Sequence, residues 1–241
     1  MKINMKKSLL SIAMAAGVST AANAAMWDVT VTNLTNGNHF TPLLVAAHGE
    51  NTHLFETGTA ASASLTAMAE CGDFSGLVTD LGATADVVEN PVGPDGSDPG
   101  FLAPGASVTT TTIDTGTNTH LSVVAMILPS NDGFIGLGSV EVPEDAGTYT
   151  FYVNGYDAGT ETNNELMDTS DCAVGQLGYP GAPSGSTGTG GTGVTNADTN
   201  TMVHIHRGVL GDSNATGGLS DLNSAVHRWQ NPMAKVTVVV K

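Results

Sequence analysis

Apolar and polar residues alternate strictly through Trp27-Asp-Val-Thr-Val-Thr-Asn33, which puts Trp27, Val29 and Val31 on one face of a half-buried strand. Ala234 to Val240 alternates in the same way near the other end of the chain. Leu121 to Leu128 is nearly all apolar, the pattern of a central strand buried on both sides. Further strands are predicted over Thr41 to Ala47 (opened by Pro42), Ser107 to Asp114, Phe134 to Leu137, Ser139 to Val142, Thr148 to Tyr156 and Met202 to Arg207. Helical composition and spacing occur in Ser62 to Ala69 and Phe74 to Leu81; Cys71-Gly72-Asp73 separates them, and Asp73 is placed to cap the second. Residues 89–105 hold Pro91, Pro94, Pro99 and Pro104 and read as a loop, as does the Gly/Ser/Thr-rich run from Gly181 to Gly193. About eight short strands, few helices and no internal repeat predict an all-β fold, an antiparallel β-sandwich with a small helical insert.

The first 24 residues carry a different signal. Lys2, Lys6 and Lys7 precede the apolar stretch Ser8 to Val18, and Ala22-Asn23-Ala24 supplies a small-x-small cleavage site. That stretch is well short of the roughly 20 residues that span a bilayer. A cleaved signal peptide over 1–24 and one domain over 25–241 are therefore expected, with the mature chain periplasmic or extracellular. No later segment is long and apolar enough to be a transmembrane helix. Without the three leading lysines, Arg207, Arg228, Lys235 and Lys241 face 23 acidic residues, a net charge of about −19. Such a chain repels phosphate backbones, which argues against nucleic acid as a partner; it suits cations or solubility in salt. In an oxidising compartment Cys71 and Cys172 read as one disulfide, with two buried or free thiols as the alternative.

Two side-chain sets could carry chemistry. Asp132 lies in the turn Pro129-Ser-Asn-Asp-Gly133, just past the buried strand; Asp157 and Glu161 lie past another, in Tyr156-Asp-Ala-Gly-Thr-Glu161. Carboxylates on loops at strand ends are what Ca²⁺ uses, and three crowded together repel unless a cation neutralises them. With 23 acidic residues, solvated turn acids are the alternative reading. The second set is histidine: His204 and His206 flank Ile205 on one strand face, His227 follows in His227-Arg-Trp-Gln-Asn-Pro232, and His48 and His53 sit near the end of the second strand. An H-x-H pair plus a third His is a ligand set for Zn or Cu; packing and hydrogen bonding of the rings is the alternative. Asp212-Ser-Asn214 is a lesser cation candidate. No serine sits in a G-x-S-x-G elbow, and no phosphate-cradling glycine pattern opens a helix. A non-enzymatic protein is expected.

Taken in order, WDVTVTNLT (27–35), TPLLVAAH (41–48), AMAECGD (67–73), AMILPSNDGFIGL (125–137), YDAGTETNNEL (156–166), VHIHRGVLGD (203–212) and HRWQNPMAKVTV (227–238) resemble the spondin N-terminal domain family in its bacterial form. The resemblance implies a C2-like β-sandwich, a Ca²⁺ site on Asp132, Asp157 and Glu161, and a binding or adhesive role toward an extracellular protein or glycan. Gly133-Phe134 departs from the animal form, which has Trp after the first Asp, and Glu161 stands where that form often has Asp. The rival expectation is a periplasmic Cu or Zn protein, or metalloenzyme, using the histidines.

Overall fold

The computed structural model describes residues 25–82, 85–89, 100–168, 172–181, 188–197 and 200–241. The leader over 1–24, most of the proline-rich loop and part of the Gly/Ser-rich run lie outside them. In chain order the elements are β1 (Met26–Asn33), β2 (His39–Phe40), β3 (Leu44–His48), α1 (Ala63–Cys71), α2 (Ser75–Leu81), β4 (Asp86–Glu89), β5 (Ser107–Thr109), β6 (Ile113–Asp114), β7 (His120–Leu128), β8 (Gly133–Glu141), β9 (Gly147–Asp157), β10 (Met167–Asp168), β11 (Tyr179–Pro180), β12 (His204–Ile205) and β13 (Ala234–Val240). One curled, antiparallel sheet runs β4-β3-β7-β8-β9-β13-β1-β5, with β12 on β9, β2 on β7 and β6 on β1; β10 and β11 form a separate parallel pair. The all-β expectation holds. Both layers belong to one continuous sheet that curls over its own core.

The sequence pattern explains that core. In β1 the side chains of Trp27, Val29 and Val31 turn inward and meet Val238 and Val236 of β13, whose register is Val29↔Val238 and Val31↔Val236. Strand β7 is buried on both faces. Its Leu121, Val123, Ala125 and Ile127 join the inner core, while Val124 joins Leu44, Ala46 and Phe134 on the outer face. The helices cover that outer face with Leu65, Met68, Leu77 and Leu81. Each such side chain contributes on the order of 2 kcal/mol by leaving water. Over β9, β13, β1 and β5 the outward residues are instead Thr148, Thr150, Thr237, Thr30 and Thr109, with exposed Tyr152 and Val239 beside them, and no helix among the described residues covers them.

Local chemistry sets the ends of the helices. Ser62 Oγ accepts the N–H of Leu65 at 3.1 Å, and Gly72 ends α1 at φ +70, a left-handed conformation favoured by glycine. The N-cap of α2 is Phe74, without a side-chain cap bond, and not Asp73 as expected; Asp73 Oδ1, one residue earlier, accepts the N–H of Ser75 at 2.9 Å. Cys71 and Cys172 are joined by a disulfide, which pins the end of α1 to the segment before β11. No helix among the described residues is long and apolar enough to cross a membrane.

Where elements differ from expectation, hydroxyl groups stand in for ladder bonds. Of the strand predicted over 41–47 only 44–47 pairs, as part of β3; β2 precedes it, and Pro42, which has no N–H, lies between them. Thr41 bridges the gap: its N–H donates to Met126 O and its Oγ1 accepts the N–H of Met126, both at 3.0 Å. The strand predicted over 107–114 splits into β5 and β6, and there Thr110 Oγ1 accepts the N–H of Val29 at 3.1 Å. Conversely, the two strands predicted over 134–142 are one, β8, carried through Ser139 at φ +47 with a register irregularity opposite Leu121 and Val123. Only His204–Ile205 of the run 202–207 pairs as a strand.

Candidate functional site

At one end of the sheet β7 leaves into the turn 129–132 and β9 leaves into the segment 158–166. The β8–β9 register pairs Gly133 with Asp157, so Asp132 and Asp157 meet at the same edge, and the N–H of Ala158 donates to Asp132 O at 3.2 Å. Ser130 fixes the turn by donating to Ile127 O at 2.6 Å and accepting the N–H of Gly133 at 3.1 Å. A Cβ on Gly133 would stand 2.7 Å from Ser130 Oγ and 3.2 Å from the His206 ring, so this position requires glycine by space alone.

Asp132 is fully buried and Asp157 is 2% exposed. Asp132 Oδ2 accepts the N–H groups of Thr160 at 2.7 Å and Glu161 at 3.0 Å, and the Thr160 hydroxyl at 3.2 Å. Its other oxygen, Oδ1, is buried with no hydrogen-bond partner. Asp157 Oδ1 accepts the N–H of Gly159 at 2.8 Å, and its Oδ2 accepts Asn163 Nδ2 at 2.7 Å. Glu161 Oε2 accepts the N–H of Gly178 at 3.1 Å and Asn131 Nδ2 at 3.3 Å. The three acids anticipated from the sequence thus share one end of the fold.

Their electrostatics are unfavourable. Burial, followed by the charge of Asp157, raises the Asp132 carboxyl above its ordinary range, despite the hydrogen bonds to Oδ2. Burial is also the main reason Glu161 is pushed up to about 8; Gly178 and Asn131 oppose it, while Glu70 and Asp132 add repulsion. Glu70 is itself buried on α1 and accepts the N–H of Gly175 at 2.6 Å. All the carboxylates are oxygen donors of the kind a hard cation takes, and Asp132 Oδ1 is an acceptor with nothing to accept. As the side chains stand, no three His, Cys, Asp or Glu groups among the described residues converge as a metal-holding cluster. The carboxylates are turned onto N–H donors instead.

The histidines are dispersed. His204 lies beside the acids, its Nε2 3.7 Å from Asp157 Oδ2 and its Nδ1 2.8 Å from Met202 O. His206 is buried; its Nδ1 accepts the N–H of Gly208 at 2.9 Å and its ring packs 4.9 Å from Trp229. His227 accepts the N–H of Asn223 at 3.0 Å, and burial, then nearby His39, lowers its pKa. His48 pairs across from His120, at the opposite end of β7 from Asp132, and contacts Ser122 Oγ at 2.8 Å. The length of β7 separates His48 from the acid end, about 26 Å for nine residues.

A second set of carboxylates holds loops together. Glu165, at φ +58 and 2% exposed, accepts the N–H groups of Leu210 at 2.5 Å and Gly211 at 2.8 Å and the Ser220 hydroxyl at 2.7 Å. Asp221 accepts the N–H groups of Met167, Thr189 and Gly191 and the Thr189 hydroxyl. Asp212 accepts the N–H groups of Asn214, Leu219 and Ser220. Both Asp212 oxygens are therefore engaged, and the lesser cation candidate at 212–214 is a loop latch. Of these residues the sequence pattern marked only Asp212. Asn131, Thr160 and Glu165 lie inside the motifs that carry the family resemblance but have no pattern of their own, and Asp221 carried no signal, because the donors to Glu165 and Asp221 come from loops far along the chain.

The Spondin_N family model matches residues 31–172, more than half of the chain, and the match includes Asp132, Asp157, Glu161 and both cysteines. The histidines at 204, 206 and 227 lie outside the matched segment. No curated protein matches the chain.

Proposed function

The chain belongs to the Spondin_N family, and from that premise we propose that it is an exported, non-enzymatic binding module whose acid end takes up Ca²⁺ through Asp132, Asp157 and Glu161. The observation that carries the reading is the buried, unpartnered Oδ1 of Asp132 beside a second buried carboxylate. A cation supplies what the backbone does not: positive charge for a buried anion whose neighbours repel it. Side-chain rotation away from the N–H donors brings the acids onto the ion, so uptake reorders the segments 129–133 and 157–166. The set is all oxygen, which suits Ca²⁺ better than Zn or Cu. Held in this way, the two segments form a rigid end that meets an extracellular protein or glycan. The disulfide and the N-terminal leader pattern support an oxidising, exported setting.

Thermal melting with Ca²⁺ and with chelator tests the site. The folded form alone holds the cation, so saturating Ca²⁺ raises Tm by mass action, and Asp157→Ala abolishes the rise. An unchanged Tm in the parent protein overturns the reading. Stoichiometric Zn or Cu in tag-free protein, lost in His206→Ala, supports the histidine reading instead.

A further inference from the structure

A cleft of about 360 Å³ opens between the segment 51–62, the start of α1, the end of α2 and Val203. Its floor is apolar, made of Leu54, Leu65, Leu77 and Val203, all buried side chains of the outer core. Phe55 forms one wall. Its ring rests on Gly136 and Gly138, where a Cβ would stand 2.5 and 3.2 Å away, and meets Phe134 and Tyr156 at centroid distances of 5.1 and 4.9 Å. The glycines seat this ring, and the rest of it lines the cleft. The segment is closed over β12 by two backbone bonds, Gly58 N–H to Val203 O at 2.8 Å and Val203 N–H to Thr59 O at 2.7 Å.

The rim has one sign of formal charge. Glu56 and Asp80 are exposed there, with neutral Asn51, Thr52 and Ser62, and among the described residues no Lys or Arg lines the cleft. His53 also lines the cleft. The volume lies at the small end of ligand pockets, with room for on the order of ten non-hydrogen atoms. We propose that this cleft is a binding site for a small amphiphilic ammonium compound: an aliphatic body lies on the leucine floor, and the cationic head is met by Glu56, Asp80 and the ring of Phe55. An aromatic wall beside two carboxylates attracts a cation by charge and by the ring quadrupole. An anion of the same shape meets the same carboxylates and a strongly acidic protein. The site shares no residue with the acid end and stands whether or not Ca²⁺ binds there.

The test uses the mature full chain in chelator, titrated with n-hexylammonium, n-hexanol and hexanoate while amide NMR shifts are followed. Hexylammonium shifts amides of 51–62, Leu65 and Leu77 saturably and binds about tenfold tighter than hexanol; hexanoate gives no saturable shift. The double variant Glu56→Gln/Asp80→Asn alters exposed groups only and reduces hexylammonium to the affinity of hexanol. Ala60→Trp fills the mouth and removes both. Equal binding of all three probes, absence of saturation by hexylammonium, shifts confined to other residues, or full affinity in the double variant overturns the proposal.

Discussion

Two groups of buried or partly exposed acids are treated in opposite ways. Glu165, Asp212 and Asp221 are met by N–H and hydroxyl donors on both oxygens; Glu165 and Asp221 clasp chain segments remote in sequence, and Asp212 closes its own loop. Burial pushes Asp221 up, but the donors from Met167, Gly191 and Thr189 outweigh it and hold the carboxyl below its usual range; the N–H groups of Ser220 and Asn214 lower Asp212 likewise. At Asp132 and Glu161 the balance is reversed, and both rise. Two things differ: Asp212 and Asp221 stay partly exposed whereas Asp132 is fully buried, and the donors to Glu165, Asp212 and Asp221 engage both oxygens, whereas those at Asp132 all fall on Oδ2 beside a second carboxylate. A buried carboxylate with enough N–H groups is a structural latch; one with an oxygen left over beside another carboxylate is a place for a cation.

The largest expected effect tests the latch. Glu165→Ala leaves two N–H groups and a hydroxyl without their acceptor, and stability falls by about 3 kcal/mol in urea unfolding. The loss is the same with Ca²⁺ or chelator. A loss that Ca²⁺ repairs would mean that the two groups are one site and the contrast is false.

The next variant acts on the other side. Asp132→Asn keeps the shape and an acceptor for the N–H groups of Thr160 and Glu161, while removing a buried charge next to Asp157. In chelator its stability equals or exceeds that of the parent by about 1 kcal/mol, and the rise of Tm with Ca²⁺ disappears. A marked destabilisation in chelator would show that Asp132 is already compensated in the folded chain.

The response to pH separates the groups by sign. Glu161 is pushed up from 4.5 to about 8, so between those values the folded chain keeps a proton that the unfolded chain releases. Its contribution is fully present below pH 4.5 and is lost as pH rises through about 8. Because Glu161 is partly open to solvent, the loss is on the order of 1 kcal/mol. Ca²⁺ needs the ionised form, so its stabilisation grows over the same window. Asp212 and Asp221 behave in the opposite sense: their contribution is present above 3.8 and is lost as pH falls through their lowered values. Melting curves from pH 3 to 9 in chelator, for the parent and Glu161→Gln, read both slopes; an unchanged neutral-range slope in Glu161→Gln contradicts the assignment.

The sequence made the sheet legible where side-chain period alone decides the structure. Alternation in β1 and β13 and the apolar run of β7 follow from burial on one face or two, and these strands lie where the pattern puts them. It was less legible where a hydroxyl replaces a backbone donor or acceptor, as at Thr41 and Thr110, because a threonine in a strand looks the same whether it faces solvent or bridges a gap. The acid end was legible as three residues, since Asp132 follows β7 and Asp157 ends β9, the two strands that flank β8. Which oxygen lacks a partner depends on Thr160, Asn131 and Gly178, and that supply is set by loop geometry no residue pattern encodes. For the same reason His204-x-His206 looked like a ligand pair although His206 is spent on Gly208 and Trp229.

The smallest effect isolates the donor argument itself. Thr160 offers Asp132 both its N–H, at 2.7 Å, and its hydroxyl, at 3.2 Å. Thr160→Val keeps the N–H and the side-chain shape and deletes only the longer bond, at a partly solvated position. Stability in chelator falls by about 0.5 kcal/mol, and the Ca²⁺-dependent rise in Tm is retained, because the N–H still holds Oδ2 while Oδ1 remains without a donor. If Thr160→Val instead removes the response to Ca²⁺, the hydroxyl oxygen is part of the cation's coordination. The contrast between the two acid groups would then rest on a side chain of the 157–166 segment as well as on how the donors are shared between the carboxylate oxygens.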